Sequence, residues 1–304
     1  MYYYWAYGLI VKSEIIFPEL FTIVETDQVD VELILGDIPA IIWKDGDYYA
    51  AYQTITSSES KLTIPKVGSY YAGFGKQIII NKEDEADWES VRLFCLSNSF
   101  AAILHQRKTI PLHCAAFLHN EQLVLIFGHS GAGKSTILAA MMNRGYQVFS
   151  DDVCVPVIDQ VTGEVSLFSS YPMLKYWKDT ADRMGIHIDQ LSRKIRPDMD
   201  KYGIYFHDNF IIESRKPVFV FLLEKLKDDA ITSLQPLTGV ALFQRLEENA
   251  YRGQQLGYMN LKREHFNLFT SLANQSKSYL IQRGEQEDSI DFIADLIEQK
   301  INEG

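Results

Sequence analysis

The sequence predicts an α/β fold, with a small β-rich N-terminal domain followed by a larger phosphate-loop domain built on a mixed sheet. Three observations carry this expectation. Residues 1–83 alternate short apolar and aromatic runs with turn residues, at strand rather than helix spacing. Residues 88–107 then repeat apolar side chains at helical spacing. Beyond them a buried-strand pattern, Leu123-Val-Leu-Ile-Phe127, passes into Gly128-His129-Ser130-Gly131-Ala132-Gly133-Lys134-Ser135-Thr136 and an apolar helix running on to Arg144.

That third stretch organises the rest. Gly128 to Ser135 fits G-x-x-x-x-G-K-[ST], and its strand and helix flanks are the context the motif requires. Glycines let successive backbone N–H groups turn inward around a phosphate, and the helix N-terminus adds partial positive charge. Lys134 is placed to reach the β/γ-phosphates, and the Ser135 hydroxyl to ligate Mg²⁺. ATP, or another nucleoside triphosphate, and Mg²⁺ are the cofactors this chemistry calls for. A glycine-rich turn that binds nothing is the bland alternative, and the flanking elements argue against it.

The 304 residues, 47% hydrophobic and 23% charged, suffice for one large or two ordinary globular domains. A net charge of −11 and a pI near 5.1 argue against nucleic acid or an anionic membrane as partner. Cys95, Cys114 and Cys154 lack metal-ligand spacing and lie in apolar runs, which suits reduced thiols in a cytoplasmic protein. The aromatic start, Met1 to Tyr7, lacks the basic segment of a signal peptide, and no apolar run approaches the ~20 residues of a membrane span.

Taken in order, strands are expected at Tyr2 to Lys12, Val29 to Leu35, Ala40 to Trp43, Tyr48 to Thr54, Lys61 to Ile64, Gly68 to Phe74 and Gln77 to Ile80. The many tyrosines there suit cross-strand packing; a peptide-binding edge is the sharper alternative. The polar break Asn81 to Asp87 starts the helix 84–107, which links a domain of residues 1–83 to one of residues 84–304. Ile110 to Leu118 reads as a strand, and His119-Asn-Glu121 turns it back into the strand feeding the phosphate loop. A tight hairpin centred near residue 120 sets His113 opposite about Phe127, beside the loop; a His that merely caps a strand end is the alternative. Arg144-Gly145 stops the loop helix. Gln147 to Ser150 is a short strand ending in Asp151-Asp152. Ligands gather at the carboxyl ends of strands in α/β sheets, so one of these carboxylates can hold Mg²⁺ and the other take a proton from an attacking hydroxyl.

Later segments carry weaker signals. Ser169 to Trp177 is read as a loop entering an amphipathic helix through about Met184, and Arg193 to Lys201 gathers basic residues suited either to solvent or to phosphates and acidic peptides. Pro217 to Leu223 and Lys277 to Gln282 read as strands. Thr238 to Tyr251 reads as a helix capped by Thr238, and Ser289 to Ile301 as a closing helix.

Leu112-His113-Cys-Ala-Ala, Gly128 to Ser135 and Arg144-Gly-Tyr-Gln-Val-Phe-Ser-Asp151-Asp152 together resemble the catalytic domain of HPr kinase/phosphorylase, over about residues 110–225. The order and spacing of His, phosphate loop and paired aspartates carry the likeness. Tyr171 to Trp177, the Lys201 region and Gly8 to Ser13 look like a branch of that family encoded with ribosomally made peptides, including kinases of the C-terminal Ser of lasso-peptide precursors. The resemblance implies a P-loop kinase domain of HPr-kinase type, with Lys134 and Ser135 on phosphates and Mg²⁺. It implies Asp152 or Asp151 as general base with the other on the metal, and His113 near the reacting phosphoryl group. Arg196, Lys201 and Arg252 would contact phosphate or substrate. His129 stands where the family carries Asp, which counts against HPr as acceptor. The expected activity is therefore a serine kinase acting on a peptide or small protein, in a chain that is either monomeric or a homo-oligomer. Kinases of HPr-like proteins or metabolites, and a regulator that binds nucleotide without transferring phosphate, are the alternatives.

Overall fold

The computed structural model describes residues 1–183, 192–226, 231–284 and 289–303. The first third is a nine-stranded sheet whose strands lie in the spatial order Phe21–Thr22, Tyr2–Ala6, Leu9–Ser13, Val31–Leu35, Gln77–Lys82, Gly68–Gly73, Glu59–Ile64, Gln53–Ile55, Tyr48–Ala50. The single strand expected at Tyr2 to Lys12 is a hairpin. Ala6 pairs with Leu9, and Tyr7 and Gly8 both take left-handed backbone, at φ 58° and 74°. Two positive-φ residues are what a two-residue turn needs to match strand twist, and Tyr7 is held in that conformation by its hydroxyl donating to Leu96 O at 2.7 Å. The expected strand Tyr48 to Thr54 likewise splits, with Ala50 opposite Gln53. Ala40 to Trp43 forms no strand: Ile42 is exposed, and Trp43 stacks on Tyr49 at the sheet's far edge.

The linking helix starts as expected, with the Asp87 carboxylate accepting from Ser90 N at 2.6 Å. It runs as Trp88–Phe94, a π-helical turn Cys95–Ser99, and Phe100–Gln106. Val91, Cys95, Phe100 and Ile103 pack on the nine-stranded sheet, in a core that also takes Val153, Val155, Tyr171 and Met173 from the second half. His105 lies inside, 1% exposed, and burial pushes its pKa down to about 4. The folded state then binds fewer protons than the unfolded chain below pH 6.5, so His105 supports the fold above that pH. Its contribution falls away as pH drops toward 4, by on the order of 3 kcal/mol in total. Urea unfolding at stepped pH checks this: stability should fall over that window in the native chain and markedly less in His105→Gln.

The second half is built on a six-stranded mixed sheet in the order Gln147–Ser150, Cys114–His119, Gln122–Gly128, Pro217–Lys225, Lys277–Arg283, Ser233–Pro236. The phosphate-loop strand Gln122–Gly128 is antiparallel to Cys114–His119 and parallel to Pro217–Lys225. Its continuous apolar run follows from having both faces covered. Leu123, Leu125 and Phe127 pack with the helices Gly239–Glu247 and Lys262–Gln275. Val124 and Ile126 pack with the loop helix Lys134–Asn143 and the last helix, Ser289–Glu303. The loop helix ends as expected: Gly145 is left-handed (φ 93°), its N–H bonds Met142 O and that of Tyr146 bonds Met141 O.

Two expectations are corrected here, the helix entered at Trp177 and the Thr238 cap. Met173–Trp177 is a strand, not the start of a helix: it pairs antiparallel with Lys201–Tyr205, and Met173 to Tyr176 are buried in succession. Only the short helix Lys178–Arg183 follows, and Met184 lies outside the described residues. Arg193 and Lys194 belong to a third strand of that small sheet, Ser192–Lys194. Thr238 sits at the N-cap of Gly239–Glu247 but makes no side-chain cap bond. Among the described residues no helix is long and apolar enough to cross a membrane.

Candidate active site

The parallel strand Gln122–Gly128 delivers its loop to the end of the sheet where Lys134 opens the helix. Gly131 and Gly133 take positive φ, 81° and 105°; a Cβ at Gly131 would meet nothing, so the loop's inner face is open there. Gly128 is needed for a different reason: a Cβ there would come within 2.8 Å of Leu223 O on the neighbouring strand. Its N–H is held by Asn249 Oδ1 at 3.2 Å. The Lys134 ammonium folds back over the loop, donating to Gly128 O at 2.6 Å and to His113 Nε2 at 3.0 Å.

His113 reaches this place because its chain leaves the hairpin early. Cys114 pairs with Phe127, so His113 falls one step further, level with Gly128 rather than Phe127. Its N–H bonds Asn249 O, and Leu112 N bonds Cys154 O, which draws residues 110–113 out of the strand expected from Ile110. With Nε2 accepting from Lys134, Nδ1 carries the proton and donates to Asp152 O at 3.0 Å; the Asp152 carboxylate Oδ1 lies 3.4 Å away.

The aspartate pair is divided between two tasks by one strand residue. Asp151, 3% exposed, accepts from Ser135 Oγ at 2.8 Å through Oδ1 and from Lys175 N at 3.0 Å through Oδ2. Asp152 turns the other way, helped by left-handed backbone at φ 76°, and its Oδ2 accepts from Lys175 Nζ at 2.7 Å. Burial raises the Asp151 pKa, with the Asp152 charge adding to it. Desolvation opposes ionisation of Asp152 too, yet the Lys175 ammonium, followed by His113, holds it well below the usual carboxylate range. Burial lowers the Lys134 and His113 pKa values, leaving the imidazole neutral near pH 7.

These groups face a cavity of about 300 Å³ lined by residues 130–137, His113, Asp152, Lys175, Trp177, Lys201 and Arg283. Of the residues chosen from sequence, Ser130 to Thr136, with Lys134 and Ser135 among them, Asp152 and His113 line this cavity, and Lys201 joins them with its ammonium over the Trp177 ring. Asp151 stands behind the wall on Ser135, and Gly128 beneath Lys134. Arg252 and Arg196 do not. Arg252 lies over Tyr251 in a neighbouring groove, and Arg196 stacks on Phe94 and pairs with Asp198. His129 points outward, 76% exposed, near Glu248. The groove is larger, about 1190 Å³; it meets the loop cavity at His113 and has walls from the nine-stranded sheet and residues 247–258.

Read from the sequence, Lys175 is only the start of a basic stretch reaching Lys201, and no site role falls to Lys175, Arg283 or Asn249. Lys175 was placed in a helix, and the other two sit in no motif. Arg283, at the end of its strand, sets Nη2 3.6 Å from where a Gly133 Cβ would stand, and burial lowers its pKa. A guanidinium so near the loop suits a nucleotide phosphate. Arg283→Gln is expected to weaken binding of a fluorescent ATP analogue about tenfold with melting temperature unchanged; unaltered affinity would remove Arg283 from the phosphate site.

The donor set fits a triphosphate and a hard cation. An open loop with left-handed glycines, a Lys at the helix start and a hydroxyl–carboxylate pair, Ser135 with Asp151, suit a Mg²⁺–nucleotide complex, in which Ser135 and Asp151 would be the protein's donors to the ion. No protein-family model matches the chain, and no curated protein matches its sequence. Among solved structures it resembles the HPr(Ser) kinase/phosphatase from Coxiella burnetii, with 12% identity over 64% of this chain and 91% of that one, at a TM-score of 0.33. A likeness that distant assigns no role to a residue.

Proposed function

We propose that this chain is an ATP- and Mg²⁺-dependent serine kinase that passes the γ-phosphoryl group to a hydroxyl of a peptide. The observation that carries the reading is the continuous hydrogen-bonded path Ser135–Asp151–Lys175–Asp152–His113–Lys134 beside one cavity, its Asp152–His113 link running through the Asp152 carbonyl. Lys134 and the loop N–H groups hold the phosphates. Ser135 and Asp151 would hold Mg²⁺, which would supply charge neutralisation to the phosphates. Asp152, ionised and on the cavity wall, orients the acceptor hydroxyl and receives its proton; a carboxylate of such low pKa is a weak base, so positioning supplies most of the effect. His113 keeps Asp152 aimed and accepts from Lys134.

The groove favours a peptide over a small metabolite, since its volume exceeds what a metabolite fills and it opens on His113. The finer reading is the C-terminal Ser of a lasso precursor. It is supported by the resemblance of Gly8 to Ser13, Tyr171 to Trp177 and the Lys201 region, two of which line the cavity. Three buried, unpaired cysteines suit a cytoplasmic setting. The test is ADP release with ATP, Mg²⁺ and a pool of serine-containing peptides. Release that depends on the peptides is expected. Tight nucleotide binding with no peptide-dependent release would favour a nucleotide-gated regulator instead.

A further inference from the structure

Lys175 grips both aspartates from a single position. Its backbone N–H bonds Asp151 Oδ2 at 3.0 Å, and its ammonium bonds Asp152 Oδ2 at 2.7 Å. The side chain is 7% exposed, running past the Tyr171 ring to the cavity wall. A buried ion pair is a weak device for stability, because desolving two charges offsets most of their attraction. Its place beside the phosphate loop points to chemistry instead.

The carboxylate oxygens can be accounted for one by one. Asp151 Oδ1 faces Ser135 Oγ, and Asp151 Oδ2 is taken by the Lys175 N–H. Asp152 Oδ2 is taken by the ammonium, and Asp152 Oδ1, 3.4 Å from His113 Nδ1, is the oxygen left for the acceptor hydroxyl. The edge left for a hard cation is Ser135 Oγ with Asp151 Oδ1. A second divalent ion on Asp152 would have to displace an ammonium already seated at hydrogen-bond distance, with Lys201 also nearby in the same cavity wall.

We propose that Lys175 is a built-in cation holding Asp152 in the place of a second divalent ion, so that the site takes one metal ion, on the Ser135–Asp151 side. This rests on the kinase reading and adds the ion count and a positioning role for Lys175. Asp152 is thereby kept aimed at the acceptor whatever the metal concentration, and only the nucleotide-bound ion varies with supply.

The test is the number of Mn²⁺ ions bound per chain, read by electron paramagnetic resonance with the non-hydrolysable analogue adenylyl imidodiphosphate at saturation. One ion is expected in the native chain and in Lys175→Arg. Two are expected in Lys175→Met, which frees the Asp152 carboxylate. Lys175→Gln, which keeps a donor to Asp152 without the charge, should also bind two, and it guards against a folding failure of the Met variant. Two ions in the native chain, or one in folded Lys175→Met and Lys175→Gln, would overturn the proposal. Failure of the analogue to bind the native chain would overturn the kinase reading itself, and it is seen separately from the ion count. A role in packing alone would leave the count unmoved.

Discussion

Lys134→Met is expected to lower phosphoryl transfer by about a thousandfold and to weaken nucleotide binding with it. The side chain is 7% exposed, and its ammonium stands between Gly128 O and His113 Nε2, at the mouth of the loop where β- and γ-phosphates would lie. Removing it deletes charge-assisted bonds to a group whose negative charge shifts during transfer, each worth about 1.5–3 kcal/mol. Methionine keeps the unbranched stem and most of the volume, so the fold should survive. Calorimetric titration with ATP and Mg²⁺, beside a transfer assay, separates the two losses. Transfer within tenfold of native would take Lys134 out of the reaction centre.

Asp152→Asn divides the properties differently. The change keeps shape but removes the charge that pairs with Lys175 and faces His113. Nucleotide affinity should stay within about threefold, because the proposed metal side is Ser135 with Asp151. Transfer should fall at least about a hundredfold, since the acceptor hydroxyl loses its orienting base. The Lys175 ammonium is then buried without its partner, which costs about 3–5 kcal/mol, so the melting temperature should fall as well. Both assays therefore belong well below that melting temperature. Loss of nucleotide binding equal to the loss of transfer would reassign Asp152 to the metal, and retained transfer would end its role as base.

The parts of this site that were legible in the sequence are those fixed by local spacing. The glycine positions dictate the loop, the apolar run dictates a buried strand, and Asp151-Asp152 follows one helix and one short strand later. His113 was legible to within one residue, because a hairpin's turn sets its register; residues 110–113 shifted when they bonded to Cys154 and Asn249 instead. Lys175 was hidden by long-range pairing. Met173 to Trp177 shows no alternation, because Met173 to Tyr176 are buried in succession, and a mostly apolar run of that length serves a helix or a strand equally well. Only its partner, Lys201–Tyr205, decides the matter. Arg283 ends an ordinary strand, and its nearness to Gly133 depends on sheet order. In the N-terminal sheet the Tyr7-Gly8 and Ala51-Tyr52 turns were missed because neither carries the usual Asn-Gly or Asp-Gly signal. The helix Lys262–Gln275 also escaped notice, although Leu268 and Leu272 fall one turn apart on its buried face.

The most direct test of the central claim is the intact mass of a candidate lasso precursor peptide after incubation with the protein, ATP and Mg²⁺. Fragmentation would locate any added group, and Lys134→Met would serve as control. The account predicts one phosphate on a serine, absent with the variant. An unchanged peptide mass, with every other serine-bearing peptide also unmodified while ATP still binds, would contradict it.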